Sequence, residues 1–179
     1  MVLGDSLSSA YGMATDQGWV NLLQQRLARE GYPHRVVNAS ISGDTTAGAR
    51  TRLETALTRH KPDMVIVELG GNDGLRGQAP GGIRENLRAI IETVLAAEAR
   101  PILMSMRIPP NYGPDYTAAF EQVYSELASQ TRIPLLPFPL ANVATRPELM
   151  QADQVHPSAD AQPIILDNLW VHLIPHLTP

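Results

Sequence analysis

The sequence predicts an α/β fold: a five-stranded parallel sheet with helices on both faces. Three observations predict it. Short apolar runs that suit buried strands alternate with longer segments whose apolar residues recur at helical spacing. The glycine-bearing turns around Ser6, Gly43 and Asn72 each follow a strand, as ligand-binding turns do in such sheets. A chain of 179 residues, 44% hydrophobic and 18% charged, can bury a real core and is too apolar for disorder. Residues 1–179 read as a single domain, with no internal repeat, linker or low-complexity tract.

The elements follow in order. Met1-Val2-Leu3 is a strand fragment, shorter than the usual core strand of about five residues. The natural chain is therefore expected to begin upstream of Met1, a removed export signal being one explanation and an edited start another. Trp19, Val20, Leu23 and Leu27 mark a helix that Gly31 ends. Arg35–Ala39 reads as a strand running into the Gly43 turn. Thr46–His60 is a helix with Leu53 and Leu57 on one face, stopped by Lys61-Pro62. Met64–Leu69 has the continuous apolar character of a buried strand. Ile83, Leu87, Ile90, Ile91, Val94 and Leu95 define an amphipathic helix. Pro101 opens a strand over Ile102–Met106, and Phe120, Val123, Tyr124 and Leu127 mark the next helix. Ile133–Leu136 is a short last strand, followed by a proline-dense loop over Leu135–Pro147. Ser158 is placed to cap a final helix carrying Ile164, Ile165, Leu169, Trp170 and Leu173. Right-handed crossovers between these strands give a three-layer, flavodoxin-like α/β/α arrangement. Its ligand site lies beyond the carboxyl ends of the strands, where Ser6, Gly43, Asn72, the 107–114 loop and the 137–157 segment all fall.

Those strand ends carry the parts of acyl-transfer chemistry. Ser6 offers a hydroxyl, His156 a base, and Asp153, three residues earlier, can reach the ring Nδ1 and fix its tautomer. Two glycine turns, Ser42-Gly43-Asp44 and Gly70-Gly71-Asn72-Asp73, are candidate oxyanion donors. Taken singly, Ser6 is a turn serine, His156 a loop histidine, Asp153 a turn cap, and Gly43 and Asn72 residues for a positive φ. Their joint occurrence at strand ends makes the chemical reading the better one.

Composition excludes other classes. Net charge is −4 with no basic block, so nucleic acid and anionic membrane surfaces are poor partners. No apolar run approaches the roughly 18 residues of a membrane span. The chain has no cysteine, hence no thiol nucleophile and no cysteine metal site. Asp5, Asp73, Asp153 and His156 lack the paired spacing of metal ligands, and neither a metal nor a cofactor is expected. There is no G-x-S-x-G elbow, dinucleotide fingerprint or phosphate loop.

The chain resembles the SGNH, or GDSL, hydrolases. The resemblance rests on Gly4-Asp5-Ser6-Leu7-Ser8, Ser42-Gly43-Asp44, Gly70-Gly71-Asn72-Asp73 and Asp153-Gln154-Val155-His156-Pro157, in family order along nearly the whole chain. Segments 37–45 and 67–77 are most similar to the bacterial thioesterase I, lysophospholipase and arylesterase group. The resemblance implies a serine esterase or thioesterase acting on small acyl esters or thioesters. Ser6 would be its nucleophile, His156 its base and Asp153 the orienting partner. The implied oxyanion hole consists of the Ser6 and Gly43 amides and the Asn72 side chain. It also implies export to the periplasm or beyond, and no cofactor.

Loop position places the acyl group against Leu75, Ile108, Pro109 and Pro110. The 74–82 segment, with four glycines and one proline, is a candidate lid as well as a plain surface loop. Two alternatives remain open at this point: an esterase of acetylated carbohydrates, with an open polar cleft, and a non-catalytic binding module of the same fold. Acyl-chain preference and oligomeric state are not encoded in any motif.

Overall fold

A computed structural model describes residues 1–177. Its sheet is parallel, in the order β1 (Val2–Gly4), β2 (Met64–Glu68), β3 (Arg100–Met104) and β4 (Leu135–Leu136). The helices are α1 (Trp19–Arg29), α2 (Thr46–His60), α3 (Gly71–Leu75), α4 (Pro80–Ala96), α5 (Pro114–Thr131) and α6 (Gln162–Leu173).

Side chains alternate across a strand, so each central strand feeds two cores. Leu3, Val65, Val67 and Leu103 pack against α2, α4 and α5, among Leu53, Leu87, Ile90, Ile91 and Leu127. Val2, Ile66, Ile102 and Met104 face the other way, onto Leu23 and Leu27 of α1 and Ile165 and Leu169 of α6. This is the three-layer arrangement. The continuous apolar run in β2 is what a strand buried on both faces requires.

Among the described residues the sheet has four strands rather than five. The segment expected as a strand at 35–39 lies beside β1 at the sheet edge. The Val2 amide donates to Val37 O and the Ala39 amide to Val2 O, both at 2.8 Å, but only Asn38 forms a parallel bridge, with Val2. A side chain supplies the reason. Gln24 of α1 accepts from the Val36 amide at 2.7 Å and donates to His34 O at 3.2 Å, so backbone groups on the outer side are satisfied by a helix rather than by another strand.

Smaller differences follow the same logic. β3 spans 100–104 rather than 102–106, because Arg100 and Pro101 already pair with Met64 and Val65. Ser158 does not cap a helix with its side chain: its Oγ is buried without a partner, a 3₁₀ turn spans Ala159–Ala161, and α6 starts at Gln162. Helix α3 was not foreseen. Gly70, at φ 109°, takes the left-handed turn, and Asn72 sits inside the short helix that follows.

Candidate active site

The serine turn begins where β1 ends. Gly4 pairs in register with Glu68, the last residue of β2, and the chain then turns through Asp5 and Ser6. Amides of Ser8 and Ser9 donate to Asp5 O at 3.3 and 3.0 Å, and Asp5 Oδ1 accepts from the Leu7 amide at 3.0 Å. These local bonds leave Ser6 at the apex.

The histidine arrives on a turn built by its own neighbour. Asp153 Oδ1 accepts from the amides of Val155 and His156, each at 3.0 Å, with Gln154 in the left-handed region at φ 55°. The other oxygen, Oδ2, accepts from His156 Nδ1 at 2.7 Å. The proton on Nδ1 leaves Nε2 free to accept, and the Ser6 hydroxyl donates to it across 2.9 Å. Hydrogen bonds from the two amides and the ring hold the Asp153 carboxyl down at about 2, so it is ionised wherever the ring can act. Its side chain is 42% exposed against 20% for His156, so water dilutes the electrostatic part of that pairing.

Two residues that the sequence analysis missed support the ring. Tyr11 lies against it, centroid to centroid 4.3 Å. Gln151 Nε2 donates to Tyr11 O at 2.8 Å and to Pro157 O at 3.0 Å, which ties the serine loop to the histidine loop. Nothing in the local sequence around Tyr11 marks it.

The second glycine turn is held beside the first. The Ile41 amide donates to Gly4 O at 3.0 Å, and the Ser9 and Ser42 hydroxyls are 2.7 Å apart. Arg52 of α2 donates to Asp44 Oδ2 at 2.8 Å and to Ala39 O at 2.6 Å, anchoring the far side. Gly43 has φ 79°, which favours glycine. Among the described residues, neither the Ser6 nor the Gly43 amide donates to a backbone or side-chain acceptor, so both are available to a ligand. Asn72 Nδ2 donates to Asp44 O at 2.9 Å and to Asp5 Oδ2 at 3.1 Å. Asp73, the next residue, is buried and accepts from the Thr46 amide and hydroxyl at 2.9 and 2.6 Å, at the start of α2. It holds a helix rather than facing the site. Among the described residues no cluster of histidine and carboxylate groups suits a metal ion.

The serine opens onto a groove of about 500 Å³. Leu75, Ile108, Pro109 and Pro110 all line it. Phe138, Leu140, Ala141, Ala144 and Met150 line it too; they belong to the 137–157 segment expected at this edge, though none was singled out from the sequence. Prolines at 134, 137 and 139 were the available signal, read only as loop punctuation. A larger cavity, about 970 Å³, opens at the other end of the sheet among Pro33, His34, Arg59 and Lys61. It holds none of the groups just described.

Sequence and fold are shared with proteins of named activity. The family described as GDSL-like Lipase/Acylhydrolase matches residues 2–163. Esterase TesA of Pseudomonas aeruginosa is 51% identical over 177 residues, covering 99% of this chain and 88% of that protein. Thioesterase 1/protease 1/lysophospholipase L1 of Escherichia coli K12 is 46% identical over 175 residues, covering 98% and 83%. The crystal structure of TesA, at 51% identity, overlays with a TM-score of 0.95 and covers 98% of both chains.

Proposed function

The chain belongs to the GDSL-like lipase/acylhydrolase family and is a carboxylic ester hydrolase, and from that premise we propose that Ser6, His156 and Asp153 form its catalytic triad. The observation that carries this reading is the continuous hydrogen-bonded chain from the Ser6 hydroxyl through His156 to Asp153, at 2.9 and 2.7 Å, at the mouth of an apolar groove.

The steps follow from the geometry. Nε2 of His156 takes the Ser6 proton as Oγ attacks the carbonyl carbon. The negative charge then on the substrate oxygen meets the Ser6 and Gly43 amides, and Asn72 Nδ2 joins them by turning one of its two hydrogens from Asp44 O to the oxyanion while the other stays on Asp5. Asp153 stays ionised and stabilises the imidazolium that forms. The imidazolium gives its proton to the leaving oxygen or sulfur, which departs as an alcohol or thiol and leaves an acyl-Ser6 ester. Water, deprotonated by the same ring, attacks that ester, releases the acid and restores the hydroxyl. Each step uses only groups of this chain, the substrate and water.

The groove defines the substrate class. Its lining includes Leu75, Ile108, Pro109, Pro110, Phe138, Leu140 and Ala144. Such walls suit a fatty acyl chain better than an acetylated sugar. We therefore assign aryl esters, acyl-CoA thioesters and lysophospholipid-type esters as substrates, in keeping with the names of the relatives. We place the enzyme in the periplasm or outside the cell, by its resemblance to a commonly exported group. No described helix is long and apolar enough to cross a membrane.

The test combines labelling with kinetics. A fluorophosphonate should add to Ser6 alone, read by peptide mass spectrometry. Ser6→Ala should abolish hydrolysis of a graded series of p-nitrophenyl esters and acyl-CoA thioesters while melting at the wild-type temperature. Substantial activity in Ser6→Ala, or adduct on another residue, would end the triad assignment.

A further inference from the structure

Directly beneath the serine turn lies an acid that the reaction above does not use. Glu68, at the end of β2, is fully buried. Its Oε2 accepts from the Ser8 hydroxyl at 2.7 Å and from the Asp5 amide at 3.2 Å, while Oε1 finds no donor. Gly4 makes room for it: a Cβ there would stand 2.6 Å from Oε2.

Asp5, 2% exposed, is its neighbour: the Asp5 amide donates to Glu68 Oε2, so the two buried carboxyl groups adjoin. Burial and each other's charge oppose ionisation of both acids, so the pair holds one proton. The surroundings decide which acid keeps it. Asp5 faces only donors on its other sides, the Leu7 amide at Oδ1 and Asn72 Nδ2 at Oδ2. A protonated Asp5 would turn a hydrogen toward one of them. Glu68 has one unpartnered oxygen on which the proton fits. The electrostatics run the same way: burial lifts Asp5 to about 6, and burial plus the Asp5 charge holds Glu68 well above the ordinary glutamate range. Other groups facing the pair are Asp44, His156, and Tyr124 of α5, whose buried hydroxyl donates to Leu69 O at 2.9 Å and is held neutral by its burial.

The consequence falls on Asn72. Its amide end faces Asp5 Oδ2 and Asp44 O, both acceptors, so the nitrogen and not the oxygen must point there. We propose that Glu68 and Asp5 act as a positioning pair for the oxyanion donor: Glu68 stays a neutral acid donating to Asp5, and the Asp5 carboxylate keeps the Asn72 nitrogen turned toward the nucleophile turn. Neither acid touches substrate. The inference rests on the reading of Asn72 as an oxyanion donor.

A double-mutant cycle tests it, with folding checked by circular dichroism and thermal melting. Asn72→Ala should lower kcat roughly a hundredfold. Asp5→Asn should lower kcat roughly tenfold or more with KM near wild type, because an amide cannot accept from three donors at once. In the Asn72→Ala background the same Asp5→Asn change should cost less than about twofold, since the group it positions is gone. Glu68→Gln should keep kcat within about threefold, its amide replacing the acid O–H. At neutral pH a protonated-carboxyl C=O band should appear in the infrared spectrum of the wild type and vanish in Glu68→Gln.

Additive losses in the cycle would overturn the proposal and make Asp5 a structural residue. A folded Glu68→Gln protein that loses tenfold in kcat, or a wild type without the infrared band, would overturn it also. Those two measurements decide the matter if Asp5→Asn does not fold. An unchanged kcat in Asn72→Ala would sink the oxyanion reading itself, and the positioning proposal with it.

Discussion

Gly4 shows how a single missing methyl group shapes the site. The residue is held at the end of β1 by its register with Glu68, and the carboxyl of Glu68 occupies the space a Cβ would fill. Added methyl carbon would lie 2.6 Å from Glu68 Oε2 and 2.9 Å from Ser8 Cβ and Oγ. All three atoms belong to a buried, hydrogen-bonded cluster with little freedom to move. Gly4→Ala should therefore cost about 1–3 kcal/mol, the usual range for overpacking, and lower kcat by displacing the serine turn. Urea denaturation and ester kinetics would measure both. Wild-type stability with wild-type kcat would mean that the cluster repacks freely. Gly43 is a different case, since no atom lies near its Cβ position and only its φ of 79° favours glycine.

Among the elements, α3 and the segment after it differ most from their composition. Four glycines over 74–82 suggested a loose lid, yet the segment is bound at several points. Residues 71–75 are helical and α4 begins at Pro80, so only 76–79 lie outside a helix. Gly74 is buried against Ile108 and Phe120, where a Cβ would meet their side chains at 2.6 and 2.8 Å. The Gln78 amide donates to Asp73 O at 3.0 Å. Tyr112 donates to Leu75 O and Tyr116 to Gln78 O, both at 2.7 Å. These tyrosines come from the segment that opens α5, so the loop is tied to a rigid neighbour. Tyr116→Phe should destabilise the protein by about 1 kcal/mol, the typical net value of one hydrogen bond. Amide exchange should rise in 76–79 and stay unchanged in α5. Exchange that does not change in 76–79 would show that the hydroxyl is not the tether.

For the molecule as a whole, the buried and exposed carboxylates set opposite pH dependences. Asp153 titrates at about 2 in the fold against 3.8 for a free aspartate. A depressed acid stabilises in full above the free value and loses that contribution as pH falls through the folded one. Asp5, raised to about 6, behaves in reverse: its contribution is complete below 3.8 and is lost as pH rises through about 6. Wild type should exceed Asp153→Asn in stability at neutral pH, and the gap should close between pH 3.8 and about 2. Chemical denaturation at graded pH reads this. A gap independent of pH would detach the Asp153 charge from the amides and ring that lower its pKa. The gap should be small, because a carboxylate this exposed is screened by water.

Local spacing in the sequence determined the α/β alternation, the span of α2, the turn at Ser6 and the Asp153–His156 contact. Those features involve residues within a few positions of each other, where periodicity and turn chemistry act directly. Only the tertiary structure decided that His156 meets Ser6 across 150 residues of sequence, that Tyr11 packs on the ring, and that Glu68 lies under Gly4. It also decided that 35–39 forms an edge segment rather than a full strand, because a glutamine from α1 takes its outer backbone groups. Which residues of the 137–157 segment line the groove belongs to the same class. Such contacts are fixed by strand register and by which helices cover which face, and neither partner's neighbouring sequence carries that information.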